Sequence, residues 1–295
     1  MTAKQKVFSG CATALVTPFI DEKIDYDALE NLIEYQIKGG VEAIVILGTT
    51  GEAPTVSEKE RDEVVSFARE KIKDRAKLIV GTGTNSTEST VRYSKSAFSC
   101  GADGVLCVSP YYNKPNTKGL VEHYKTVAKS VDLPIILYNV PSRTGSNIPY
   151  EVYNELKDVE NIVGIKEASG SMSYFADIST EYSQYYHLYT GNDDLTLCSL
   201  AMGGEGVISV VSNALPGKMC ALCKSYFEGN LKDALSIQLE LLPLIRELFK
   251  ETNPVPIKEL LFQLNLCKNE HRLPLFPSSR GKEIERFAAW IKENS

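Results

Sequence analysis

Eight short runs rich in β-branched residues alternate with helical patterns between residues 11 and 213, and this alternation constrains the fold more than any other feature of the chain. The runs are CATALVTPF (11–19), AIVILG (43–48), KLIVGTG (77–83), GVLCVSP (104–110), PIILYNV (134–140), IVGIKEAS (162–169), HLYTGND (187–193) and GVISVVSN (206–213). Most are continuously apolar, as parallel strands are when helices cover both faces of their sheet. The stretches between them are amphipathic. DYDALENLIEYQIKGG gathers Leu29, Leu32, Ile33 and Ile37 on one face and stops at Gly39-Gly40, while SEKERDEVVSFAREKIK opens with Ser57 and Glu60 in capping-box spacing. Strand and helix repeated eight times is the α/β pattern of a (β/α)8 TIM barrel. A doubly wound open sheet is the rival architecture, but no G-x-G-x-x-G follows the first run. From 226 onward the pattern is helical only, punctuated by ETNPVPIKE and RLPLFPSSRG. We therefore expect a catalytic barrel over 1–225 and a small C-terminal helical domain over 226–295.

Several functions are disfavoured by composition. A formal charge of −6 with no basic stripe argues against nucleic-acid binding. The N-terminal MTAKQKVFSG lacks the apolar core of a signal peptide, and runs such as LPIILYNV are too short to cross a bilayer. The expectation is a cytoplasmic protein with no membrane partner. Seven cysteines, Cys11, Cys100, Cys107, Cys198, Cys220, Cys223 and Cys267, are an odd number among apolar neighbours. They read as small core residues of a reduced compartment rather than as a disulfide framework. Cys220 and Cys223 form a C-x-x-C without a second pair, and His123, His187 and His271 sit in unrelated contexts. Neither a metal nor a bound cofactor is expected.

In such a barrel the site lies at the C-terminal ends of the strands. The unusual residues fall there: Thr17 after the first strand, GTTGE (48–52) after the second, GTGTN (81–85) after the third, and SPYYNKP, YNVPSRTG, KEAS, GND and ISVVSN after the others. Lys166 stands out, because it arrives where the IVGI run calls for another apolar residue. A buried stem with a snorkelling amine is one reading. The other is a nucleophile, since desolvation lowers a lysine pKa by as much as ~3–5, enough for a neutral amine to attack a carbonyl and form a Schiff base. Such chemistry needs a proton shuttle and an anchor for a carboxylate. Tyr138 ends the neighbouring strand and is placed to relay protons, or else simply packs. Tyr111 and Tyr112 are consecutive, so at most one of them enters the site. Thr49 and Thr50 lie in a glycine-flanked turn that either holds a small carboxylate or caps a helix. Arg143, in a loop bounded by proline and glycine, suits a carboxylate or stays solvated.

Taken together, GTTGE, YYNKP, YNVPSRTG, GIKEAS, TGND and GVISV, in this order and spacing, resemble the dihydrodipicolinate synthases, class I aldolases of the N-acetylneuraminate lyase superfamily. The resemblance spans essentially the whole chain, helical tail included. It implies condensation of pyruvate with aspartate 4-semialdehyde and cyclisation of the product, a step of lysine and diaminopimelate synthesis. It further implies that Lys166 forms the imine with pyruvate, so that no separate cofactor is needed. Thr49, Tyr138 and Tyr112 would form a hydroxyl relay, with Tyr112 reaching across a dimer interface. Thr50 and nearby backbone N–H groups would hold the pyruvate carboxylate, Arg143 the semialdehyde carboxylate, and Gly191 and Ile208 would line the pocket. The usual assembly is a homotetramer built as a dimer of dimers. The alternative within the superfamily is another pyruvate-dependent aldolase such as N-acetylneuraminate lyase, but those relatives generally lack an arginine matching Arg143. A barrel that has lost catalysis and only binds is disfavoured by the intact Lys166, Tyr138 and Thr49.

Many members resembling this chain are inhibited by lysine at a dimer-interface pocket. Asn85 and Tyr111 match that pocket. Ala53-Pro54 stands where lysine-sensitive relatives tend to have Ser-Ala, and Glu58 and Arg61 stand where they often have histidine. Loss of a hydroxyl and of a backbone donor leads us to expect insensitivity to lysine.

Overall fold

The structure is a computed structural model that describes residues 4–294. Its strands are β1 (Gly10–Ala14), β2 (Phe19–Ile20), β3 (Lys23–Ile24), β4 (Ala43–Ile46), β5 (Lys77–Gly81), β6 (Gly104–Val108), β7 (Ile135–Asn139), β8 (Ile162–Glu167), β9 (His187–Thr190) and β10 (Gly206–Ser209). Eight of them close into a parallel barrel in the order β1-β10-β9-β8-β7-β6-β5-β4. All eight expected strands are present, each shorter than its apolar run because the chain leaves the sheet to build the rim. The β2–β3 hairpin between the first strand and the first helix was not anticipated from sequence.

Around the barrel run α1 (Tyr26–Lys38), α2 (Glu58–Ile72), α3 (Thr87–Ser99), α4 (Thr117–Ser130), α5 (Pro141–Thr144), α6 (Tyr150–Leu156), α7 (Met172–Tyr182), α8 (Thr196–Ala201) and α9 (Pro216–Phe227). Polar caps start many of them. Asp25 accepts from the Ala28 N–H, Ser57 and Glu60 form the expected capping box, and Ser86, Asn116 and Ser171 cap α3, α4 and α7. Leu29, Leu32 and Ile33 are buried as the periodicity of α1 requires, while Ile37 is half-buried. Gln36 joins the buried face instead. It accepts from Thr13 Oγ1 at 2.6 Å and donates to the Asn213 carbonyl at 3.1 Å, so its amide is satisfied.

The tail forms α10 (Leu231–Leu248), α11 (Val255–Gln263) and α12 (Gly281–Asn294). The boundary placed at 225 falls in the last turn of α9. Gln238 of α10 fastens the tail to the barrel rim, accepting from the Leu197 N–H and donating to the Asp193 carbonyl, both at 3.1 Å. The seam where the barrel closes pairs Gly10 with Gly206. A Cβ on Gly206 would sit 2.0 Å from the Gly10 carbonyl oxygen, so only glycine lets these strands meet.

Two apolar layers result. The outer one packs strand against helix, and the inner one fills the barrel with Ala12, Val45, Ile79, Ile136, Tyr189 and Ile208 among others. The cysteines are all free. Cys11, Cys107 and Cys223 are buried and three more half-buried, but Cys198 is exposed on α8 and is not a core residue. Among the described residues no helix is long and apolar enough to cross a membrane, and no cluster of His, Cys, Asp and Glu is arranged to hold a metal ion.

Candidate active site

Lys166 reaches the barrel interior through an irregularity in β8. Ile162 pairs with Ile135 and belongs to the outer layer, and strict alternation would put Lys166 on the same outer face. The register shifts between Ile135 and Ile136, however, so that Gly164 pairs with Ile136 and Lys166 with Tyr138, both inner-layer residues of β7. One extra residue on β8 thus turns the lysine inward, as bulges commonly do beside active sites.

There the side chain is only 6% exposed. Its Nζ lies 4.4 Å from the centre of the Tyr138 ring. Burial lowers its pKa from 10.5 to about 7; the Asp193 carboxylate opposes this fall and the Arg143 cation adds to it. A substantial neutral fraction therefore exists near neutrality, as a nucleophile requires. Gly191 makes room for the stem, because a Cβ there would stand 2.6 Å from Lys166 Cε. Ile208 of β10 sits in the same inner layer as Tyr138.

Burial raises the pKa of Tyr138, while the Arg143 charge and a hydrogen-bonding interaction with Thr49 pull it back. Thr49 and Thr50 belong to the turn after β4. That turn closes on itself through bonds from the N–H groups of Gly51, Glu52 and Ala53 to the carbonyls of Gly48 and Thr49. None of these uses the N–H of Thr49 or Thr50. Thr17, just beyond the end of β1, braces the turn, its Oγ1 donating to the Gly51 carbonyl at 2.7 Å.

Beside Tyr138, whose ring lies against the Lys166 amine, opens a cavity of about 570 Å³ whose lining includes Thr49, Tyr111, Tyr138, Val140, Arg143 and Asn253; Lys166 itself is not part of that lining. Thr50 lies just behind this wall, buried, with its hydroxyl oxygen accepting from Asn253 Nδ2 at 2.9 Å. Arg143, on the short α5, donates through Nη2 to the Asn253 carbonyl at 3.1 Å. The structure thus gathers Lys166, Tyr138, Thr49, Thr50, Arg143, Gly191 and Ile208 at one end of the barrel. It does not bring Tyr112 to them. Tyr111 turns into the cavity, whereas Tyr112 is 92% exposed on left-handed backbone (φ 68°) and projects away from the chain's own site.

Three participants were not read from the sequence. Asp193 stood in the quoted TGND, but nothing in its neighbours, Asn192 and a second aspartate, Asp194, gave a sign that it would be wholly buried beside the lysine. Asn253 lies in ETNPVPIKE, a stretch whose prolines signal only a break between helices. The third is an ion pair, Lys258 to Glu52 at 2.6 Å, with both side chains buried. Lys258 also donates to the carbonyls of Thr17 (3.1 Å) and Glu270 (2.5 Å), so α11 grips the turn that carries Thr49 and Thr50. No short motif announces a partner more than two hundred residues away.

Comparison with known proteins places nearly the whole chain in one family. The sequence model of the Dihydrodipicolinate synthetase family matches residues 7–293. A 4-hydroxy-tetrahydrodipicolinate synthase of Thermotoga neapolitana is 46% identical over 292 residues, which cover 98% of this chain and 99% of that protein. The crystal structure of dihydrodipicolinate synthase from Thermotoga maritima superposes with a TM-score of 0.94 at 44% identity, covering 98% of this chain and 99% of that one. A structure described as a monomeric dihydrodipicolinate synthase variant matches equally, with a TM-score of 0.94 and 44% identity over 97% of each chain.

Proposed function

This chain belongs to the dihydrodipicolinate synthetase family, and from that membership we propose that it condenses pyruvate with aspartate 4-semialdehyde to give 4-hydroxy-tetrahydrodipicolinate, acting as a class I aldolase through an imine on Lys166. The observation that carries this reading is the Lys166 amine itself, enclosed at the end of β8 and lowered to about 7 by burial. Neutral Nζ attacks C2 of pyruvate, and the carbinolamine loses water to give the imine. Loss of a proton from C3 yields an enamine, whose C3 attacks the aldehyde carbon of the semialdehyde. The amino group of the new chain then adds to C2 and displaces Lys166, closing the ring and freeing the amine.

Each proton in this sequence needs a carrier, and Tyr138 beside Thr49 supplies the inner part of a relay. Thr50 and the unused N–H groups of its turn hold the pyruvate carboxylate, and Arg143 at the mouth holds that of the semialdehyde. Tyr112 completes the relay of a neighbouring subunit, a role supported by its exposure and outward course. The assembly in this reading is a homotetramer made of two tight dimers, and its site of action is the cytoplasm, in keeping with seven free cysteines. No cofactor or metal enters any step.

Sodium borohydride with pyruvate tests the carrying observation. Mass spectrometry is expected to find a reduced pyruvyl adduct on Lys166, and an adduct on a different lysine, or none, overturns the reading. A coupled assay offering aspartate semialdehyde against N-acetylneuraminate then separates this activity from that of a superfamily relative, with turnover expected for the semialdehyde alone.

A further inference from the structure

We propose that Asn253 is a positioning residue for both substrate carboxylates, acting on pyruvate through the Thr50 hydroxyl and on the semialdehyde through the Arg143 guanidinium. The inference rests on the substrate assignments above. Asn253 lies between α10 and α11, 6% exposed, and forms part of the cavity wall. Its side chain and its main chain engage two different residues assigned to substrate carboxylates, Nδ2 donating to Thr50 Oγ1 and the carbonyl accepting from Arg143 Nη2.

A threonine hydroxyl has one hydrogen to give and two lone pairs to receive with. With a lone pair occupied by Nδ2, the Thr50 oxygen keeps its hydrogen for another acceptor, and a carboxylate is such an acceptor. Remove the amide, and the hydroxyl is free to rotate toward the carbonyls of its own turn. The effect on Arg143 is of the same kind. Arginine carries its planar fork on a flexible stem, and one bond to a fixed carbonyl sets the plane while leaving other N–H groups for a ligand. The segment that supplies both bonds is itself immobilised, because Lys258, five residues on, is tied to Thr17, Glu52 and Glu270.

The side-chain amide of Asn253 is anchored at one end only. Its Oδ1 is buried with no partner among the described residues. Its one side-chain bond is the one to Thr50. Aspartate is the informative replacement, since ionised it cannot donate to Thr50 and would set a negative charge behind the pyruvate carboxylate.

The test uses Asn253→Ala and the near-isosteric Asn253→Asp in the full-length enzyme, with pyruvate titrated into borohydride trapping in the absence of semialdehyde. In Asn253→Ala the half-saturating pyruvate is expected to rise about 3- to 10-fold. Its KM for semialdehyde should move less, because the backbone carbonyl that holds Arg143 remains. Asn253→Asp should show the larger pyruvate defect, and it decides the matter alone if the alanine variant does not fold. In a Thr50→Val background, adding Asn253→Ala should change pyruvate half-saturation little, since the hydroxyl it acts on is already gone; a merely structural role would give additive losses. Unchanged half-saturation in both single variants, or full additivity with Thr50→Val, overturns the inference. Failure of wild-type enzyme to trap pyruvate would instead overturn the activity on which it rests.

Discussion

A lysine held near 7 in a folded protein and at 10.5 when free works against the fold. Between those values the unfolded chain binds the extra proton, so stability rises with pH across that window and the full penalty applies below about 7. Lys166→Met should therefore raise the thermal midpoint at neutral pH, by up to about 4 kcal/mol of stability, while abolishing borohydride trapping. A lower midpoint would mean that the ammonium is better solvated than its burial indicates. In the wild type the same titration should appear as a rate of imine formation that climbs as pH passes through about 7 and then levels. Arg143 lines the cavity together with Tyr138. Arg143→Ala should leave pyruvate trapping largely intact but lower kcat/KM for the semialdehyde about 10- to 150-fold, the worth of a charged hydrogen bond to a carboxylate. Equal damage to both half-reactions, read by trapping and by the coupled assay, would make the arginine structural.

At the scale of elements, the decisive one is β8, and the decisive detail is its extra residue. Gly164 occupies the inner side of that bulge, where an added Cβ would meet the His187 carbonyl oxygen at 3.0 Å and Tyr189 Cε2 at 3.2 Å. Gly164→Val should cost about 1–3 kcal/mol from overpacking and also reduce imine trapping, by shifting the register that aims Lys166 inward. Gly217→Ala, where a Cβ meets nothing within 4 Å, should do neither; parallel denaturation and trapping measurements compare them. This bulge also marks how far sequence reading reached. Strand order, barrel class and the lysine itself were legible, because apolar runs, capping residues and an intrusive charge are local signals. The inward turn of Lys166 was not, since plain alternation from Ile162 sends it outward. Nor were Asn253, Lys258 or the buried Asp193, whose roles come from partners brought together only by closure of the barrel and docking of the tail.

For the whole molecule, the exposed Tyr112 and the wide cavity behind Tyr111 set the questions. Tyr112→Phe should lower turnover without unfolding, and mixing it with Lys166→Ala subunits should restore part of the activity, because one site of the mixed dimer then has both its lysine and its neighbour's tyrosine. No recovery in a mixture shown to exchange subunits would count against a shared site. Lysine, titrated into the coupled assay, should leave the rate unchanged through the submillimolar range, and clear inhibition there would refute this. The cavity holds a buried Arg61, stacked 4.2 Å from the Tyr93 ring with its N–H groups directed to the carbonyls of Gly81 and Ala53. Its cation opposes the ammonium of lysine, while Glu58 faces outward to pair with Arg92 at 2.5 Å. The clasp between the tail and the turn after β4 carries a consequence for biosynthesis. Ribosomes deliver Thr50 203 residues before Asn253, and Glu52 206 residues before Lys258. The last barrel strand, ending at Ser209, is complete well before either tether exists. A nascent chain thus carries Lys166 early and the tether of the turn that bears Thr49 and Thr50 late, so that ordering of this turn waits for synthesis of the tail.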